Sequence, residues 1–301
     1  MTTKMRIFDA HHHLWSLTRC HYPWLMAKGV KRFFGDPAPI QEDYLVHNFR
    51  TDATAFDLIG SAHIQVGVDE SDIVNETAWL QACSDADGLP SAIVGYADLT
   101  ADTLTSILDA HAAYLNFRGV RQIVGRHPVE DEKTGSGALL NDPRFAAGLE
   151  ALARRGLRFE LQLVASQYEA AFDALTRIRE LPVAICHFAS PWDQSPDAYR
   201  HWRDAMARFA ELPNCHMKLS GFGMFKPDWT YDDIAPYVND ALTLFGAQRC
   251  MAGSNFPVDK LFGDYTRFWR ALVELIPDKS ALKAVTLDNA MRYYDVPAPV
   301  S

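Results

Sequence analysis

Basic charge, long apolar runs and paired cysteines are all scarce in this chain, and each shortage removes a class of function. Lys and Arg number 29 against 38 Asp and Glu, a net charge of −9 with no basic block. Nucleic acid is therefore excluded as a partner. No window approaches the roughly 20 apolar residues of a membrane span, so a membrane is excluded too. The five cysteines (Cys20, Cys83, Cys186, Cys215, Cys250) are odd in number, scattered, and form no Cys-x-x-Cys. They read as reduced thiols, with Cys186, Cys215 and Cys250 as small core residues. The early apolar stretch is cut by His11–His13, which leaves no signal-peptide core, so the expected location is cytoplasmic. No low-complexity linker divides the 301 residues, and 48% hydrophobic content is ample for one core.

What the chain does have is concentrated near its start. Asp9-Ala10-His11-His12-His13 follows the apolar run Met5-Arg6-Ile7-Phe8. Alternate residues of a strand share a face, so Ile7, Asp9, His11 and His13 are expected to point the same way. Two imidazoles at a strand end can meet at one point, an arrangement suited to a zinc-like divalent ion.

Apolar runs alternate with helical patterns along the rest of the chain. Strands are expected at Arg6–His11, Ser61–Val66, Ser91–Ala97, Gly119–Val124, Leu157–Leu163, Pro182–His187, Cys215–Ser220 and Cys250–Ser254. Helices are expected near 72–86, 101–116, 142–155, 166–179, 196–210, 231–245, 264–276 and 280–291. Ser71-Asp72 and Asn141-Asp142-Pro143 supply helix-start chemistry. Eight strands alternating with helices predict an α/β fold, a (β/α)₈ TIM barrel forming a single domain over 1–301. The stretch 16–50, with Tyr22, Trp24, Phe33, Phe34, Pro37 and Pro39, is expected as a loop insertion over the barrel mouth.

Strand parity then selects residues. In the fifth strand Arg158, Glu160 and Gln162 share one face and the leucines the other. The second strand pairs His63 with Gln65, and the fourth sets Arg121 against Val120. His187 closes the sixth, the seventh presents His216, Lys218 and Ser220, and the eighth runs Met251, Gly253, Asn255. Polar groups thus converge at strand C-termini, where active sites of this barrel sit. His63 and His216 read equally as satisfied core histidines, and Glu160 with Arg121 equally as a structural ion pair.

The ordered set Asp9-Ala10-His11-His12-His13, Gly119-Val120-Arg121-Gln122, His187, Met217-Lys218-Leu219-Ser220-Gly221 and Gly253-Ser254-Asn255-Phe256-Pro257-Val258 resembles the amidohydrolase superfamily. More narrowly it is similar to the lactonase-like branch of fuconolactonases, rhamnonolactonases and pyrone-dicarboxylate lactonase. The resemblance spans nearly the whole chain. It implies a distorted metal-dependent-hydrolase barrel that opens a cyclic ester. It implies one divalent metal, zinc first, on His11, His13 and His187. Where the superfamily places a basic Asp after strand eight, this chain has Asn255, which cannot accept a proton and is a weaker ligand, so metal occupancy is left open.

The resulting expectation is a hydrolase opening a small sugar-acid or carboxylate lactone, acting as a monomer or homo-oligomer in carbohydrate or other small-molecule catabolism. Catalytic candidates are His187, Asn255 and Glu160. Substrate-binding candidates are His63, Gln65, Arg121, Gln162 and Lys218. The alternatives are a lactone isomerase or non-oxidative decarboxylase of the same superfamily, and a catalytically silent barrel that only binds a small molecule.

Overall fold

The computed structural model describes residues 4–134 and 136–297. Eight strands run in parallel in the order β1 to β8: Arg6–His12, Asp57–Ile64, Ala92–Gly95, Phe117–Val120, Arg158–Leu161, Val183–Ile185, Cys215–Leu219 and Cys250–Ala252. All eight expected strands are present, most of them shorter than the apolar runs that announced them. Helices Ile73–Asp87, Leu104–Ala112, Pro143–Arg154, Tyr168–Thr176, Pro196–Ala210, Tyr231–Phe245 and Tyr265–Leu275 follow successive strands. One of the two expected starts carries its chemistry: the Asp142 carboxylate caps Arg144 N with Pro143 at the first position, whereas Asp72 makes no side-chain cap bond to the helix it precedes; Ser195, not singled out from sequence, caps Ala198 N before Pro196. The chain is a (β/α)₈ barrel.

Between β8 and β1 the barrel closes through few backbone bonds. Asn255 N donates to His11 O and His13 N to Phe256 O, each at 2.7 Å. The Asp9 carboxylate completes the seam by accepting from Ser254 N (2.9 Å), His11 N (3.1 Å) and Tyr265 Oη (2.8 Å). Burial raises the Asp9 pKa to about 6 despite these donors.

The inner layer is apolar toward the strand N-termini. Phe8, Ala10, Ala62, Ile64, Ala92, Val94, Ala184 and Met251 pack with Tyr293 and Tyr294, which plug that end. Above this layer the interior turns polar, and the site begins there. The second, larger cluster lies between barrel and helices and includes Ile7, Phe159, Ile185, Met217, Trp202 and Trp269. The cysteines are all free, with Cys186, Cys215 and Cys250 fully buried. Among the described residues no helix is long and apolar enough to cross a membrane.

Candidate active site

At the C-terminal end of the strands a cavity of about 340 Å³ is lined by His13, Gln65, Arg121, Gln162, His187 and Asn255, among others. Each of these follows the end of a different strand. His11 sits just behind them, fully buried, its ring 4.3 Å from that of His187 and 5.3 Å from that of His13.

The hydrogen bonds fix which nitrogen of each imidazole is available. His13 Nδ1 lies 2.7 Å from Ile64 O and can only donate to it, so neutral His13 carries its lone pair on Nε2. That nitrogen faces Asn255 Oδ1 at 3.2 Å. The Asn255 amide is oriented by Asp259, whose Oδ1 accepts from Nδ2 at 2.8 Å. Two lone pairs therefore confront each other across 3.2 Å. His187 Nδ1 is bonded to Ser220 Oγ at 2.9 Å, leaving Nε2 free, and His11 Nε2 has no hydrogen-bond partner among the described residues.

Burial keeps these rings neutral. The His13 pKa is lowered to about 3 by desolvation and then by the Arg121 charge. His187 is driven well below its ordinary value by burial, with Arg121 adding to the effect, and His11 by burial, with His187 and Lys218 adding. Neutral, preoriented imidazoles are what a metal requires.

Local backbone geometry brings the side chains there. Residues 187–190 all have positive φ, 52–58°, which turns His187 inward directly after β6. Gly221 (φ +66°) must be glycine, because a Cβ would stand 2.5 Å from His187 Nδ1. Asn255 (φ +56°) is a residue type that tolerates the left-handed region.

Three expected site residues do not reach the cavity. His63 was expected at the substrate, but it lies on the outer face of β2. It accepts Leu14 N at 3.0 Å, and its Nε2 is 3.9 Å from Glu76 Oε1 on the following helix. Burial lowers the His63 pKa and raises that of Glu76 to about 8, so both are neutral and the contact is not an ion pair. Lys218, expected at the substrate, is wholly buried beneath His11, with Nζ 2.6 Å from Glu160 Oε2 and 2.8 Å from Ala10 O. Glu160, expected as a base, is consumed by that pair and by Tyr294 Oη at 2.5 Å. The structural ion pair of the barrel is thus Lys218–Glu160 and not Arg121–Glu160.

His11, Glu160 and Cys186 also place one ligand atom each within 4.8 Å of the others. The Lys218 ammonium already lies among them, 3.5 Å from His11 Nδ1. A fixed cation there disfavours a second one. Lys218 can only donate to His11 Nδ1, so the nitrogens with unspent lone pairs are His13 Nε2 and His187 Nε2, with Asn255 Oδ1 beside the first.

Arg121 does line the cavity. Its Nη2 donates to Gln65 O at 2.5 Å and Nη1 to Gln162 Oε1 at 3.2 Å, while Nε is unpartnered. Sequence reading missed Arg32, Arg126, Tyr96 and Asp259. Asp259 was signalled by its place four residues after Asn255. Arg32 and Arg126 had no signal, since both lie in loops without periodicity. Trp24, Phe33 and Phe34, noticed as insertion aromatics, line the outer part of the cavity.

The amidohydrolase family model matches residues 8–296, and the chain belongs to that family. It is 38% identical over 299 residues to protein y4mH of Sinorhizobium fredii, itself uncharacterised, covering 96% of this chain and 98% of that one. It is 26% identical over 309 residues to an L-fucono-1,5-lactonase of Burkholderia ambifaria, covering 97% and 96%. Among solved structures it superposes, with a TM-score of 0.81 and 23% identity over 97% and 99% of the chains, on an amidohydrolase of Burkholderia multivorans with bound zinc.

Proposed function

We propose that this chain is a lactonase, opening a small carboxylate or sugar-acid lactone in cytoplasmic small-molecule catabolism. The carrying observation is the placement of neutral His13 and His187 beside the Arg121 guanidinium in one cavity. The fuconolactonase relative supports the reaction class.

A divalent ion, zinc first, fits this site. The facing lone pairs of His13 Nε2 and Asn255 Oδ1 and the free His187 Nε2 form the donor set; His11, whose Nδ1 accepts from Lys218, would join through Nε2 only on losing the proton there. When bound, the ion would lower the pKa of a water and polarise the ester carbonyl. Arg121 binds the substrate carboxylate through its charge. Asn255 Oδ1 accepts a hydrogen bond from the attacking water and orients it, but takes no proton. His187 Nε2, held by Ser220 from the other side, can accept the water's proton and return it to the ring oxygen as the ester opens. That nitrogen serves as ligand or as base, one role at a time. The 16–50 insertion covers the mouth of this single domain and keeps bulk water from the ring-opening step.

One observation favours a second reading, isomerase or decarboxylase. Asn255 stands where a hydrolytic carboxylate is expected, and chemistry without such a base tolerates it. A screen of lactones with a pH indicator separates the readings, since only hydrolysis releases acid. We expect acid release that falls at least a hundredfold in His187→Ala, as loss of a general base does. Stoichiometric binding without turnover would instead leave a silent barrel.

A further inference from the structure

The cavity carries two cations that neither the fold nor the proposed chemistry requires. Arg126 lies five residues beyond Arg121, and Arg32 comes from the insertion; both line the cavity and are more exposed than Arg121. The Arg126 backbone is anchored on both sides, N to Asp131 Oδ2 at 2.8 Å and O to Trp192 Nε1 at 2.9 Å. Its guanidinium has no hydrogen bond or ion pair among the described residues. Arg32 is met by Glu130 only at 3.8 Å, its Nε is unpartnered, and its guanidinium stands 5.8 Å from the Trp24 ring. Arg126 lies within electrostatic reach of both Arg32 and Arg121. Arg121 itself is 5% exposed with an unpartnered Nε. Against these three cations the lining supplies one acid, Glu70.

The rest of the lining is poor in groups that read hydroxyls. No Ser, Thr or Asp contributes to it. Gln65 spends its amide on Arg121 O and Gly67 N, and Gln122 spends its own on Asp98 and Leu99 N. Beside the Tyr96 hydroxyl and the Gln162 amide, what remains is broad and apolar: Trp15, Trp24, Phe33, Phe34, Ile123 and Met224. A polyhydroxylated ring would lose water at each hydroxyl and find few partners in exchange. A flat ring with few hydroxyls would keep its contacts with the aromatic walls, and its carboxylates would meet the arginines.

We propose that Arg32 and Arg126 form an anion subsite toward the opening of the cavity, in addition to Arg121, and that the ligand is a flat, hydroxyl-poor ring bearing carboxylate at a distance from the reacting ester. Neutral sugar lactones are then poor ligands of this site. The inference rests on the lactone reading only for the identity of the reacting group.

Calorimetric titration of the protein as purified tests it without turnover, using isophthalate, its neutral isostere isophthalamide, and gluconate as a polyhydroxylated carboxylate. Isophthalate is expected to bind at least tenfold tighter than either of the others. Arg126→Gln and Arg32→Gln are each expected to weaken isophthalate about tenfold, with little change in melting temperature. Gluconate or isophthalamide binding as tightly as isophthalate would overturn the proposal, as would undetectable isophthalate binding at millimolar concentration or unaltered affinity in both folded variants. The comparison of three ligands on the unmutated chain decides the matter even if a variant misfolds. Isophthalate binding with no lactone hydrolysed would sink the lactonase reading and leave this one standing.

Discussion

Asn255, Arg121 and Lys218 are the residues at which sequence reading and geometry bear most directly on each other. Asn255→Asp replaces a neutral oxygen beside His13 with an anionic one, so metal retained after dialysis should rise. Unchanged metal content, measured by mass spectrometry, would mean that Oδ1 does not belong to the donor set. For the two cations, parity correctly turned both into the barrel but could not say which would meet Glu160. Depth decides it. Lys218 lies within β7, level with Glu160 in β5, whereas Arg121 lies one residue past the end of β4. Lys218→Met would leave the Glu160 carboxylate buried and uncompensated, at a cost of ~3–5 kcal/mol. A melting temperature within a degree or two of the parent would refute the pairing. Arg121→Met should act on KM and leave kcat largely intact, by on the order of tenfold to a hundredfold for a charge-assisted contact worth ~1.5–3 kcal/mol. A large fall in kcat at unchanged KM would place Arg121 at the transition state and not at the ground-state carboxylate.

Strands β5, β7 and β8 were legible as elements, because their inward residues (Glu160, Lys218, Met251) keep the two-residue period expected of them. In β1 and β2 the period misled. Register slips between Asp9 and His12, so Phe8 and Ala10 face inward below the slip while above it His13 lines the cavity and His11 sits just behind. Ile7 and Asp9 belong to the outer face, contrary to the expectation that they share a side with His11. His12 is turned against Phe49, the rings parallel and 4.1 Å apart. Neither this slip nor the left-handed run at 187–190 leaves a periodic trace in sequence. The motif residues were found all the same, because the site lies past the strand ends, where side-chain direction is set by turns. Gly221→Ala tests one such turn. Its Cβ would stand 2.5 Å from His187 Nδ1 on a backbone with φ +66°. The strain is worth about 1–3 kcal/mol, but displacement of His187 from Ser220 should lower kcat by on the order of a hundredfold. Melting curves and kcat taken on one preparation separate the two effects; a variant with lowered stability and intact kcat would show that the His187–Ser220 contact does not position the ring.

Across the whole molecule, the number and order of the strands were readable from alternation alone, while the outer wall of the cavity was not, since Arg32 and Arg126 arrive from loops. The same burial that sharpens the site makes the entire fold sensitive to pH. Outside the candidate metal ligands, burial lowers the pKa values of His12, His63, His111 and His216, the last to about 4. It raises Asp9 to about 6, Asp259 to about 7 and Glu76 to about 8. The histidines contribute stability that is complete above their ordinary value of 6.5 and is lost as pH falls, because the unfolded chain takes up protons that the folded chain refuses. The three carboxyls act in the opposite sense. Their contribution is complete below the ordinary carboxyl range and is lost as pH rises toward 6–8, where the unfolded chain has already released protons that the folded chain keeps. Between about pH 4.5 and 6 both effects operate, each net proton being worth about 1.4 kcal/mol per pH unit. Four histidines outweigh three carboxyls, and His11, His13 and His187 widen the margin. Above pH 7 only the carboxyls remain, Glu76 last. Stability should therefore peak near neutrality, falling steeply on acidification and gently toward pH 8–9. Thermal melts across pH 5–9 check the shape. Glu76→Gln, which stays neutral at every pH, should flatten the alkaline limb and, by removing one opposing carboxyl, steepen the acid limb; a melting temperature that climbs between pH 6.5 and 5 would show that the buried imidazoles are already charged in the fold.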